Sequence, residues 1–178
     1  MTWDTRPEDW GKPGHAELGS ETEAILDQIE YLTDSAIPLS SYKTASENVN
    51  NSAVLQNDDV LLKAVEASSV YIVEAHLFYF SGTTPDLKIA WTVPAGATLV
   101  WGGVYYDAAL AMTSNGNFAT AANLAIGGSG GDAHASLFGL LTTSTAAGTL
   151  QMQWAQNTAN LSNSTIYAGS YLTLRKIA

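Results

Sequence analysis

The chain has no cysteine among its 178 residues, which excludes disulfide staples and thiolate metal sites. It has no stretch near the roughly 18 consecutive apolar residues of a membrane helix, so no membrane partner is expected. Its start, MTWDTRPEDWGKPGHAE, is acidic and lacks the apolar core of a secretory signal. Basic residues are scarce: the formal net charge is −10, from 17 Asp and Glu against 7 Lys and Arg. That balance excludes a nucleic-acid partner held by clustered cations. Charge of either sign nearly vanishes toward the C-terminus. Residues 87–178 carry only Lys88, Asp107, Asp132, Arg175 and Lys176, far below the roughly one quarter charged residues of an average protein.

What is present is apolar and aromatic, 46% hydrophobic with five Trp, eight Tyr and four Phe, enough to build a sizeable core. The acidic charge is concentrated in residues 1–36, where nine carboxylates face two basic side chains. Within that segment, residues 1–19 combine Pro7, Pro13 and three Gly with Trp3 and Trp10. No period is visible, and an extended acidic arm is expected. Trp is favoured at interface hot spots, so Trp3 and Trp10 are candidates for docking on another protein, or for folding back on their own domain. Residues 20–36 are expected to hold a short helix. Ser20 and Glu23 make a capping-box pattern, Ile25, Ile29 and Leu32 form a narrow apolar seam, and Pro38 ends the element. So short a helix is marginal alone, and the seam needs a partner, either the chain's own body or a docking or stem contact.

From residue 40 to 178 the pattern is that of strands. Residues 40–49 and 52–57 are each expected to hold a short strand, with Asn57-Asp58-Asp59 as a turn. VYIVEAHLFYF (70–80) is a long strand of roughly 36 Å at about 3.3 Å per residue, apolar enough on both sides to be largely buried on both. LKIAWTV, ATLVWGGVYY, SLFGLLTT, TLQMQWAQ and STIYAGSYLTLRKI follow. Residues 107–134 are expected to be a long loop with a short helical piece, and GGSGG (127–131) a flexible part of it, since it lacks the Lys of a phosphate loop. Seven to nine strands with Gly, Pro and Asn turns point to an antiparallel sandwich, with jelly-roll and immunoglobulin-like orders both open.

Catalytic and metal patterns are sparse. His15, His76 and His134 have no metal-ligand spacing. Asp132, His134 and Ser136 are too close in sequence to be read as a triad. No enzymatic activity, cofactor or metal is expected. Glu74 and His76 share one side of the long strand among apolar neighbours. They either find hydrogen bonds at the core margin or meet identical copies across a rotation axis, with Phe78 beside them; protonation of the imidazole should then alter assembly stability. In TLQMQWAQ, Leu150, Met152 and Trp154 face one way, with Gln151 and Gln153 opposite. Amides in place of ions suit a face covered by another subunit, because interface centres are depleted of charge.

From about Ala53 onward, the segments VLQNDDVLLKAVEASSVYIVEAHLFYF, DLKIAWTVPAGA, GLLTTSTAAGTLQMQWAQNT and AGSYLTLRKI resemble virion structural proteins of tailed bacteriophages that infect actinobacteria. The resemblance implies an all-β antiparallel jelly-roll sandwich similar to the tumour-necrosis-factor fold, usually trimeric, preceded here by the extended N-terminal arm and one short helix. The resemblance does not fix the virion part; the short chain without fibrous repeats leads to the expectation of a homotrimeric capsid decoration (cement) protein, assembled in the host cytoplasm and located on the capsid surface. Trp3, Trp10, Ile25, Ile29 and Leu32 would dock on the major capsid protein or another virion protein, and Glu74, His76, Phe78, Gln151 and Gln153 would form the subunit interface. The alternative expectation is a minor tail or fibre protein with a receptor- or carbohydrate-binding jelly roll, using Trp101, Tyr105, Tyr106 and Asn115–Asn117.

Overall fold

A computed structural model describes residues 22–29 and 37–178. The chain divides into a unit up to Ile37 and a second from Pro38 to Ala178. In the first, residues 22–29 form a helix, α1, on which Ile25, Leu26 and Ile29 are each more than half exposed. Trp3, Trp10, Ser20 and Leu32, and with them the expected arm, cap and end of the seam, lie outside the described residues.

The second unit is built of strands. They are β1 (Leu39–Tyr42), β2 (Glu47–Val49), β3 (Gln56–Val65), β4 (Val70–Phe80), β5 (Leu87–Thr92) and β6 (Thr98–Tyr106). They continue as β7 (Met112–Phe118), β8 (Leu124–Ile126), β9 (Asp132–Thr142), β10 (Gly148–Gln156), β11 (Ser164–Ile166) and β12 (Tyr171–Lys176). Every pairing is antiparallel, and the pairs are nested: β1 with β12, β2 with β11, β3 with β10, β4 with β9, β5 with β8 and β6 with β7. The chain is thus one long hairpin, turning at residues 107–111 and rolled on itself. Rolling puts β1-β12-β4-β9-β6-β7 in a large sheet, with β11 beside β4 and β2 beside β11, and β3-β10-β5-β8 in a small one. This is the jelly-roll sandwich, and it decides against the immunoglobulin-like order.

The core lies between the sheets and follows from strict alternation. Tyr71, Val73, Ala75, Leu77 and Tyr79 of β4 face Leu150, Met152 and Trp154 of β10 and Leu87, Ile89 and Trp91 of β5, all buried. Trp91 meets Trp101 edge-on at 6.2 Å. The indole N–H groups of Trp91 and Trp154 are buried without an acceptor among the described residues.

Four expectations need correction. The segment 52–59 holds neither the strand expected over 52–57 nor the Asn57-Asp58-Asp59 turn: residues 50–55 are a connection, and residues 56–59 open β3. Gln151 pairs with Leu62 but Gln153 with Asn57, so residues 58–61 stand opposite Met152 alone and β3 bulges there. The Asp58 carboxylate holds this bulge by accepting from the amides of Val60 (2.9 Å) and Leu61 (2.8 Å). The 107–134 segment contains β7, β8 and the start of β9 and no helix; its Asn, Ser and Gly content hid strands whose pairing is supplied by the rest of the sheet. The long strand β4 is buried on one side only, with Glu74 and Phe78 exposed on the other.

The fourth correction is GGSGG. Gly127 donates to the Tyr106 carbonyl (2.6 Å), Gly128 to the Asp86 carboxylate (2.8 Å) and Gly130 to the Ser81 carbonyl (3.0 Å). The Tyr79 hydroxyl donates to the Gly127 carbonyl at 2.8 Å; burial, with the Asp86 charge, pushes that phenol well above its usual range and keeps the donor protonated. A Cβ on Gly127 would collide with the Asp107 carbonyl, which is backbone and cannot swing away. Gly127→Ala should therefore destabilise the fold by about 3 kcal/mol, the upper part of the overpacking range. Gly131→Ala, where a Cβ meets only Ser129 Oγ at 3.6 Å, should leave urea unfolding unchanged to within about 0.5 kcal/mol.

Candidate functional site

Alternation leaves one side of the large sheet facing away from the core, and cross-strand register arranges that side in rows. One row runs Tyr42, Tyr171, His76, Ser136, Val104, Ser114. The next runs Ser40, Thr173, Glu74, Phe138, Gly102, and the third Arg175, Ile72, Leu140, Val100. The face is apolar and open to solvent: Phe78 is 47% exposed, Val100 48%, Phe138 45% and Leu140 45%. Glu74 and Arg175 are its central charges, of opposite sign. Contiguous exposed apolar surface of this kind marks an interaction site.

His76 sits at the centre. Its ring stacks on Tyr171 (4.8 Å between centroids, 28°) and meets Phe138 edge-on at 6.5 Å. Its Nδ1 shares a hydrogen bond of 3.0 Å with Ser136 Oγ. A hydroxyl beside an imidazole is the beginning of a nucleophile-base pair, but the rest of that machinery is placed elsewhere. Asp132 Oδ1 accepts from the Tyr167 hydroxyl at 2.8 Å, which raises the pKa of that phenol, and His134 lies opposite Phe78. The Glu74 carboxylate makes no hydrogen bond to the ring. The surrounding β4 and β9 amides lie in the ladder rather than converging as an oxyanion hole. Among the described residues no group of three His, Asp or Glu could hold a metal ion, and no described helix is long and apolar enough to cross a membrane.

Glu74, His76 and Phe78 thus lie together on one exposed face. Gln151 and Gln153 do not join them. They lie on the small sheet, where Gln151 Nε2 donates to the Asp58 carbonyl (2.6 Å) and Gln153 Nε2 to Asn57 Oδ1 (2.8 Å). The wet side of β10 carries amides because they lace the β3 bulge to its neighbour. The proposed sugar-stacking platform is also displaced: Trp101 and Tyr105 are buried in the core, Trp101 against Phe118 at 5.4 Å.

Two features escaped sequence reading. The apolar outer residues Val100, Val104, Phe138 and Leu140 were signalled by strands β6 and β9 being apolar at both alternate sets. Nothing local signalled the ion cluster beside the bulge. Lys43, 2% exposed, donates to Asp58 Oδ2 (2.7 Å) and Glu47 Oε2 (2.8 Å), and Gln56 Nε2 donates to Glu47 Oε1 (2.8 Å). Burial acts to lower the Lys43 pKa, but the two carboxylates outweigh it and hold the ammonium above its ordinary value.

No protein-family model matches the chain, and no curated protein matches it. Among solved structures, the infectious bursal disease virus Gx strain is similar at 11% identity and a TM-score of 0.25, over 79% of this chain and 40% of that one. The VP2 subviral particle of the same virus gives 11% identity and a TM-score of 0.17, over 80% of this chain and 40% of that one. The Gt strain gives 9% identity and a TM-score of 0.19, over 81% and 39%. The chain thus spans about two-fifths of the length of the viral chains it matches, and the likeness is weak.

Proposed function

We propose that this chain is a non-enzymatic structural protein of a virion, a homotrimer that decorates the capsid surface and is held there by its acidic N-terminal segment. The observation that carries the self-association is the outer face of the large sheet, where Ile72, Phe78, Val100, Val104, Phe138 and Leu140 surround His76 with few charges between them. Left open, such a face promotes non-specific association; covered by copies of itself it is buried with few ions to desolvate. Glu74 and Arg175 give it one charge of each sign, which a neighbouring copy can pair. The virion part of the reading rests on the sequence resemblance to tailed-phage structural proteins, and the attachment on the charge contrast between residues 1–36 and the roll.

Two measurements test this reading. Sedimentation equilibrium should return three times the 18.8 kDa chain mass; a monomer at high concentration removes the self-association. Particles assembled without the protein should release their contents at lower temperature than complete ones, because a ligand that binds only the intact shell stabilises it by mass action. Equal heat resistance removes the cement role while leaving the trimer standing.

A further inference from the structure

A closed ring of identical chains with a head-to-tail contact needs two different, complementary patches on each chain. The large sheet carries such a pair at its two edges. At one edge, Tyr42 on β1 projects from the outer face, 66% exposed. At the other, a groove of about 570 Å³ opens between the outer face and the β6–β7 hairpin. Its floor is glycine: a Cβ on Gly102 would strike the Asn115 carbonyl and the Gly116 Cα, so β7 closes directly over β6. The far wall is made by a β-bulge, with Trp101 paired to Phe118 but Gly103 to Asn115, and Asn117 at φ 66°. Phe138, Val100 and Val104 supply apolar sides. Ser114 and Asn117 supply polar side-chain atoms with no hydrogen-bond partner among the described residues. Among the described residues no ionisable side chain lines the groove, which suits a neutral amphipathic group and disfavours a charged ligand.

Register adds a geometric condition. The row that begins at Tyr42 ends at Val104 and Ser114, in the wall of the groove. Projecting ring and groove therefore lie at opposite ends of one paired row on the same face, as the two different patches of a head-to-tail contact. We propose that Tyr42 of one copy seats in the β6–β7 groove of the next, its ring against Phe138 and Val104 and its hydroxyl on Asn117 or Ser114, so that each contact is head-to-tail and the ring closes. This deepens the self-association reading above and rests on it.

The absence of cysteine makes the contact testable by directed cross-linking. A Tyr side chain separates the two backbones by more than a disulfide spans, so a short bis-maleimide is the probe. The Y42C/N117C double variant should give covalent trimers on a denaturing gel. An equimolar mixture of the two single variants should give covalent dimers, and each single variant alone should stay monomeric on the gel. Tyr42→Ser, at an exposed edge position, should unfold at an unchanged urea midpoint yet weaken assembly at least tenfold, with Tyr42→Phe less affected. A trimer mass without Y42C/N117C cross-links overturns this contact alone. A monomeric wild-type chain overturns the self-association reading as well. Binding of wild type on a neutral-glycan array that is lost in Asn117→Ala, without cross-links, would assign the groove to a sugar and overturn the proposal.

Discussion

Asp58→Ala is expected to lower the stability of the roll by about 3–5 kcal/mol, because it leaves the Lys43 ammonium buried without its nearest counter-charge. Against the roughly 5–15 kcal/mol that holds an ordinary domain together, this is a large fraction of the total at neutral pH. The same substitution frees the amides of Val60 and Leu61 and loosens the β3 bulge. Asp58→Asn keeps an oxygen for those amides and should fall between Ala and wild type. The double variant Lys43→Met/Asp58→Asn removes both charges of the buried pair, leaves Glu47 on the Gln56 amide, and should recover part of the loss, since replacing a buried pair by groups of similar volume is often neutral. Urea unfolding at pH 7 measures all three. If Asp58→Ala cost less than about 1 kcal/mol, the cluster would be solvated and its burial unimportant. The sign with pH follows from the raised Lys43 pKa. The cluster's contribution is complete below the unfolded lysine value near 10.5 and is lost as pH rises through the folded value. Wild type should therefore weaken at strongly alkaline pH by more than Lys43→Met/Asp58→Asn does.

Leu140→Glu should dissolve the assembly while leaving the roll folded. Leu140 lies between Ile72 and Val100 on the outer face and is 45% exposed in the single chain. A carboxylate there is hydrated in the monomer, so the unfolding free energy should move by no more than about 0.5 kcal/mol. In a self-associated form each copy would bury that carboxylate at several kcal/mol per ion, which is beyond what a modest interface withstands. Sedimentation should show monomers at concentrations where wild type is trimeric. Ala64→Glu, on the exposed side of the small sheet, is the matched control and should stay trimeric. A trimer in both variants would place the contact on some other surface.

The elements that sequence reading placed best were those whose pattern is local. In β4, β5 and β10 the alternation of apolar side chains marked the strands, and in β10 and β5 it also marked the buried side. The sequence likewise limited the chemistry: no thiols, no basic patch and no spacing of histidines for a metal. Where it failed, the deciding partner was distant in the chain. Asn57-Asp58-Asp59 has turn composition, and Asp58 does make a turn-like cap, but β10, some 95 positions away, keeps the segment in a strand. β7 has no strand-forming composition and owes its conformation to β6 and to the glycine that lets it close in. GGSGG reads as flexible because glycine is permissive, whereas Gly127 and Gly128 are required because the backbone of residues 107–108 and 81–82 passes within contact distance.

The amino-acid sequence by itself determined that the chain makes a sandwich, which side of β10 fills it, and that a carboxylate-rich segment precedes a region almost without ions. Alternation and composition are properties of neighbours in the chain, so they survive without a structure. The tertiary structure alone decided that six nested pairs roll one hairpin into two sheets, that Gln151 and Gln153 fasten a bulge, that Lys43 meets Asp58, and that an apolar face with a projecting ring and a groove remains open. Each of these depends on contacts between residues far apart in the chain, whose closure is governed by the packing of the whole roll and leaves no signature in any single stretch.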